Sequence, residues 1–168
     1  MLDRPRRPLL GGLGALALAL AAVFTTGPAQ AASPDHDLSQ LRQGDRIMTM
    51  PAAPPSLAST AAEEPPTAWP KPDKIVHVPA AASLNCTSGN LCVSVFDHTT
   101  GDYVVFFLYY CDTYALSNFV GTGSYHNAQT GGAVARFYGK TGNLITSVRA
   151  GGSGNDYKWS PVWSIKNC

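Results

Sequence analysis

Charge is scarce in this 168-residue chain: 14% of the residues are Asp, Glu, Lys or Arg, and the formal net charge is +1. From Leu84 onward there is no glutamate, and four aspartates are balanced by five basic residues. Without a clear excess of positive charge there is no electrostatic footprint for nucleic acid, so we expect no nucleic-acid partner. The shortage of carboxylates also disfavours the paired acid and base of a glycosidase.

Motifs for phosphate binding and covalent catalysis are missing as well. The stretch from Gly121 to Ser124 is Gly-Thr-Gly-Ser but is followed by Tyr125, with neither the lysine of a phosphate loop nor the second glycine of a nucleophile elbow. On a strand, Ser124 and His126 would share a face roughly 7 Å apart, which is too far for direct proton transfer. We therefore predict a protein that is not an enzyme, with no catalytic residue and no cofactor.

The N-terminal region resembles a targeting segment rather than part of a fold. Three arginines lie within the first seven residues, an apolar run follows at Leu9–Phe24, and Ala29 and Ala31 form a small-x-small site. This order is typical of a secretory signal peptide over 1–31, cleaved after Ala31. We expect a secreted, extracellular protein without a membrane span in its mature form.

The segment 32–83 differs in composition from the rest of the chain. It is rich in Pro and Ala and contains one aromatic residue, Trp69. Such a composition buries too little apolar surface to offset the entropy of ordering the chain, which predicts a disordered linker. A cleaved pro-segment is the alternative. The folded domain is then 84–168.

Four cysteines, all in the predicted domain, indicate two disulfides in an exported protein, and four cysteines allow three pairings. Their spacing does not match the paired ligands of a zinc site. Cys86 and Cys92 bracket Thr-Ser-Gly-Asn-Leu, a turn-forming loop that brings two Cα atoms close together. We predict the pairs Cys86–Cys92 and Cys111–Cys168.

The domain has the pattern of β-structure throughout. Two segments rich in β-branched and aromatic residues, Leu91–Asp97 and Asp102–Tyr110, flank His-Thr-Thr-Gly and predict a hairpin. Three more short strands are predicted within 132–139, 143–150 and 161–168. Five or six short strands separated by turns indicate an all-β sandwich or small barrel.

The spacing of Tyr114, Phe119 and Gly121 resembles the aromatic-x4-aromatic-x-Gly signature of βγ-crystallin Greek-key motifs. With the order of cysteines and aromatic residues along Leu84–Cys168, the domain resembles small secreted actinobacterial proteins of the metallopeptidase-inhibitor family that has a βγ-crystallin-like fold. The resemblance implies a disulfide-linked Greek-key β-sandwich and an extracellular metallopeptidase as partner.

The calcium site of the crystallins requires two Asn or Asp residues, two spacers, Ser or Thr, and then Ser. The segment 142–147 has Gly at the first of these positions, and 155–160 has Trp at the fifth. Because neither motif is intact, we predict no metal site.

These observations favour a monomeric, non-enzymatic binding protein and, most specifically, a peptidase inhibitor. The predicted partner-binding loop is Gly151–Trp159, which carries Tyr157, Lys158 and Trp159; the alternative for Trp159 is a place in the core. The alternatives for the whole protein are a structural or cell-envelope interaction protein and a toxin-like antimicrobial protein on the same fold.

Overall fold

The computed structural model describes residues 46–55 and 64–168, so the predicted signal peptide and two parts of the predicted linker, 32–45 and 56–63, lie outside the described residues. Within those ranges the chain forms strands and no helix, and thus no helix that could span a membrane. The strands are β1 Arg46–Thr49, β2 Thr67–Trp69, β3 Lys74–Val78, β4 Ser83–Cys86, β5 Leu91–Asp97, β6 Asp102–Leu108, β7 Thr113–Ser117, β8 Thr122–Asn127, β9 Val134–Tyr138, β10 Leu144–Arg149, β11 Ser153–Lys158 and β12 Ser164–Lys166.

The strands form two five-stranded sheets and a two-stranded ribbon. The first sheet has the order β10-β9-β12-β7-β2, the second has the order β11-β8-β5-β6-β3, and the ribbon pairs β1 with β4. The pairings are antiparallel. Two disulfides, Cys86–Cys92 and Cys111–Cys168, join the cysteines as predicted. The predicted all-β, sandwich-like class is therefore confirmed.

The predicted hairpin forms with β5 and β6 as its arms. The side chain of Asp97 organises the turn, because its Oδ1 accepts hydrogen bonds from Thr99 N at 2.8 Å and from Thr99 Oγ1 at 2.6 Å. Gly101 closes the turn with a φ of +82° and donates its N–H to the carbonyl of Asp97 at 2.8 Å. A side chain at Gly101 would be strained by that backbone conformation.

The main hydrophobic core lies between the two sheets. Because side chains alternate across a strand, every second residue of a core strand points into this space. The second sheet contributes Leu91, Val93, Val95, Val104, Phe106 and Leu108. The first sheet contributes Tyr114, Leu116, Ala135, Phe137, Val148 and Ile165.

Strand β6 is buried on both faces, which explains why its sequence is almost continuously apolar. Tyr103, Val105 and Phe107 point away from the main core into a second cluster, which is covered by Met48 of the ribbon and by Met50 just after β1. Two hydrogen bonds attach residues 49–52 to the second sheet. Ser124 Oγ donates to Thr49 O at 2.9 Å, and the Tyr103 hydroxyl donates to Ala52 O at 3.2 Å. A strand covered on both faces has apolar residues in sequence rather than in alternation.

The prediction of a disordered linker over 32–83 is therefore wrong for 46–55 and 64–83. These residues belong to the same compact unit as 84–168, so the predicted domain boundary at residue 84 is also wrong. The prolines misled the prediction, because they flank the strands rather than interrupt them: Pro51 follows β1, and Pro70 and Pro79 follow β2 and β3. Both β2 and β3 are edge strands, where neighbouring prolines are tolerated.

We predict that Met48→Ala lowers the free energy of unfolding by about 2–5 kcal/mol, because it opens a cavity in the second cluster. Met48 is 2% exposed, whereas its neighbour Ile47 is 41% exposed. The matched control Ile47→Ala should change stability by about 0.5 kcal/mol. Urea denaturation of both variants measures the difference, and equal small losses would show that the ribbon does not pack on β6.

Candidate binding site

The connection between β6 and β7, Tyr109–Asp112, presents two large aromatic side chains to solvent. We call it the tyrosine loop. Tyr109 is 54% exposed and Tyr110 is 59% exposed. Their rings meet edge to face, with centroids 5.4 Å apart and planes at 89°. The sequence predicted that the strand would continue to Tyr110, but β6 ends at Leu108, where the chain leaves the second sheet for the first.

The buried side chain of Asn167 fixes the backbone of the tyrosine loop. Its Nδ2 donates to the carbonyl of Leu108 at 2.7 Å and to the carbonyl of Tyr110 at 3.1 Å. The backbone N–H of Asn167 donates to the carbonyl of Asp112 at 2.9 Å. Asn167 thus provides hydrogen-bond donors for three carbonyl groups in and just before the loop. Carbonyl groups that are shielded from water need such partners within the protein.

Covalent and side-chain contacts hold the same loop. The Cys111–Cys168 disulfide spans 57 residues, and in the loop-entropy model a closure of that length stabilises the fold by about 4 kcal/mol. The Tyr114 hydroxyl donates to the carbonyl of Tyr110 at 3.3 Å. Burial, followed by the negative charge of Asp112, raises the pKa of Tyr114 from its ordinary value of 10.0, so the hydroxyl remains a donor even in mildly alkaline solution.

Tyr109 lies against a glycine of the other disulfide loop. Gly89 has a φ of +89°, and a Cβ at this position would come within 3.0 Å of Tyr109 Cε2. The tyrosine pair borders a shallow depression whose remaining lining is Gly89, Cys111, Gln129, Thr130 and Ala133. The loop therefore combines exposed aromatic area with an adjoining concave surface.

The predicted binding loop, Gly151–Trp159, is mostly a strand rather than a protruding loop. Residues Ser153–Lys158 form β11 and pair with β8. The glycine content reflects packing, since a Cβ at Gly154 would lie 2.6 Å from the ring of Tyr125. The glycines of this segment therefore serve strand packing as well as the turn before it.

The three residues proposed for that loop have different environments. Trp159 is fully buried, and its indole N–H donates to Ser94 O at 2.6 Å, so the core alternative holds for this residue. Tyr157 is half-buried, packs on Trp159 with centroids 4.8 Å apart, and shares a 3.3 Å hydrogen bond with Thr146 Oγ1. Only Lys158 has an exposed side chain.

Ser124 and His126 lie beneath the ribbon on the outer face of the second sheet. The Ser124 hydroxyl is buried and donates to Thr49 O. His126 is 6% exposed, and its Nε2 has no hydrogen-bond partner. Burial, with a smaller effect from the positive charge of Arg46, lowers the pKa of His126. Ser124 and His126 therefore form part of the buried contact between the second sheet and the ribbon.

The two near-matches to a calcium motif lie at turns and strands. Asn143 follows the β9–β10 turn, where its Oδ1 accepts a hydrogen bond from Thr141 Oγ1 at 2.9 Å. Asn155 and Asp156 lie on β11, with Asp156 at a positive φ of 54°. Among the residues that the structure describes, no group of three or more His, Cys, Asp or Glu side chains could hold a metal ion.

Comparisons of this chain with protein-family models, with curated proteins and with solved structures found no match. The two disulfides are typical of extracellular proteins. The tyrosine loop is a candidate site that the sequence did not indicate, because its geometry depends on Asn167, 59 residues from Leu108. The pair Tyr109-Tyr110 just before a cysteine is the one local signal that it offered.

We predict that Asn167→Ala lowers the free energy of unfolding by about 1–3 kcal/mol, because the carbonyl of Leu108 loses its Asn167 donor and the carbonyl of Tyr110 keeps only the Tyr114 hydroxyl. Asn155→Ala, at an exposed position of β11, is the matched control and should have little effect. Hydrogen exchange should also increase at the tyrosine loop in Asn167→Ala alone. Equal stability of the two variants would mean that the Asn167 amide does not hold the loop.

The buried His126 predicts a loss of stability in mild acid. Since its pKa is lower in the folded state than the ordinary value of 6.5, protons favour the unfolded chain, and stability is lost as the pH falls below 6.5. The slope cannot exceed about 1.4 kcal/mol per pH unit for one group.

Thermal unfolding between pH 7.5 and 5 tests this in His126→Gln, which should lose that part of the pH dependence. The control His77→Gln changes an exposed histidine on β3 and should keep it. Parallel pH curves for wild type and His126→Gln would contradict the prediction.

Proposed function

We propose that this protein is a secreted, non-enzymatic binding protein and, most specifically, an inhibitor of a metallopeptidase that it contacts with the tyrosine loop. The observation that carries the proposal is the pairing of exposure with rigidity: Tyr109 and Tyr110 are more than half exposed on a backbone that Asn167 and the Cys111–Cys168 disulfide hold.

Rigidity matters because the binding loop of an inhibitor should be ordered before it binds and should not be distorted or cleaved by the enzyme. A loop that is already fixed loses little conformational entropy on binding, so more of the contact energy appears as affinity. Tyrosine is among the residues that most often dominate the binding energy of protein interfaces. The depression beside Tyr109 offers space for a side chain of the partner.

The fold proposed for this function is the βγ-crystallin-like Greek key. In support, Tyr114 and Phe119 are buried at the spacing of that signature, and Gly121 has a φ of +84°. Such a φ is the conformation for which the signature glycine is needed. The choice of a metallopeptidase as target rests on the resemblance of 84–168 to the inhibitor family with this fold.

Secretion is part of the proposal. The segment 1–31 has the order of a signal peptide, and two disulfides suit an oxidising compartment. We propose export with cleavage after Ala31, followed by action as a monomer in the extracellular space.

A titration of the purified protein against a thermolysin-like zinc peptidase, a serine peptidase and a cysteine peptidase tests the function. We expect stoichiometric loss of the metallopeptidase activity alone. The double variant Tyr109→Ala/Tyr110→Ala should weaken inhibition at least about 30-fold, since anchor residues contribute about 2 kcal/mol or more. Trp69→Ala, which removes an exposed aromatic residue outside the loop, should inhibit like the wild type.

Failure to inhibit any peptidase class at micromolar protein would contradict the inhibitor proposal. Inhibition that survives the double tyrosine change would place the contact elsewhere on the molecule. Circular dichroism and thermal unfolding of each variant separate a lost contact from a lost fold.

A further inference from the structure

The outer face of the first sheet is open to solvent within the described residues, unlike the outer face of the second sheet. Register places Trp69 beside Ala115, Ala115 beside Ser164, and Ser164 beside Tyr138. Trp69 is 76% exposed, and this row of outward side chains crosses four strands. At the usual spacing of strands, the indole and the phenol lie roughly 14 Å apart along it.

The charged side chains on the strands of this sheet are all positive. The five strands of the first sheet contain no Asp or Glu, and their basic residues are Arg136, Arg149 and Lys166. Each occupies an outward position, because the residues next to them, Ala135, Val148 and Ile165, point into the core. We call this surface the basic face. The neighbouring Asp112 lies before β7, where its Oδ1 accepts from Thr113 N at 2.6 Å.

Two of the cations are placed directly opposite each other. Lys166 on β12 pairs in register with Arg136 on β9, and like charges in such cross-strand pairs are destabilising. The guanidinium of Arg136 donates to main-chain oxygens of Val134 at 3.3 Å and Cys168 at 2.9 Å, whereas Lys166 is exposed at the pair. A bound anion would relieve this repulsion, so the arrangement favours a negatively charged ligand.

We propose that the basic face binds an extended acidic polysaccharide. Trp69 and Tyr138 supply flat aromatic surface for the apolar faces of sugar rings, and Arg136, Arg149 and Lys166 supply partners for carboxylates. The length of the row suits an extended chain rather than a single sugar. The two disulfides suit a protein of the extracellular space, and aromatic faces beside cations match a polymer of sugar rings that carry carboxylates.

The basic face and the tyrosine loop are formed by different residues, so this proposal does not depend on inhibition. It gives the protein a second function: attachment to an acidic glycan matrix while the tyrosine loop remains available. The residues of the two sites do not overlap, and variants of one can serve as controls for the other.

The test is calorimetric titration of the full chain with polygalacturonate and with the same polymer after methyl esterification, which removes its charge. We expect binding to the acidic polymer that weakens as salt is added, and at least tenfold weaker binding to the ester. Trp69→Ala should weaken binding to the acidic polymer at least tenfold. Lys166→Gln should weaken it and reduce the salt dependence.

Two controls match these variants. Lys158→Gln removes an exposed lysine of β11 in the second sheet, and Tyr109→Ala removes an exposed aromatic residue of the tyrosine loop; both should bind the acidic polymer like the wild type. Because Lys166 is exposed, its replacement keeps the test valid even if Trp69→Ala unfolds.

Several outcomes would overturn the proposal. These are no binding of polygalacturonate at millimolar uronate, equal binding of the esterified polymer, or equal losses in Lys158→Gln and Lys166→Gln. Tighter binding to duplex DNA of the same charge concentration would identify the face as a nucleic-acid surface instead.

Discussion

The burial of β6 on both faces is the constraint on which the rest of the structure depends. Val104, Phe106 and Leu108 require the first sheet on one side, and Val105 and Phe107 require the ribbon on the other. A single pair of sheets could not cover this strand. The segment before residue 84 is therefore part of the fold, and the tyrosine loop begins where the doubly covered strand ends.

The local features of the sequence were sufficient to predict the hairpin, the disulfide pairs and strands β9, β10 and β12. Each of these predictions depends on residues close in sequence. The exception is Cys111–Cys168, which follows because these two cysteines are left once Cys86 is paired with Cys92. The ribbon was missed because Pro/Ala content conceals short edge strands, although the unbroken apolar run in β6 signals a second cover. The tyrosine loop was missed because contacts from Asn167 determine its shape. Likewise, a net charge of +1 conceals the fact that the strands of the first sheet contain basic residues and no acidic ones.

The two sheets differ in whether their outer faces are covered, and this difference determines where a ligand could bind. The ribbon seals the outer face of the second sheet and places Ser124 and His126 in its packing. The first sheet has no such cover among the described residues, so its outward side chains are available to a ligand. The disulfide at Cys111 holds the connection between the sheets and thereby positions the tyrosine pair relative to both.

The position of the ribbon strand β1 in the sequence also matters for folding during synthesis. Residues 102–108 form an apolar, β-prone stretch of the kind that aggregates when exposed. The strand that covers them, β1, precedes them by more than fifty residues and is therefore synthesised before β6. Because synthesis runs from the N-terminus, β1 is present before the aggregation-prone strand β6 is complete. A covering strand located after β6 in the sequence would leave Val105 and Phe107 exposed for longer.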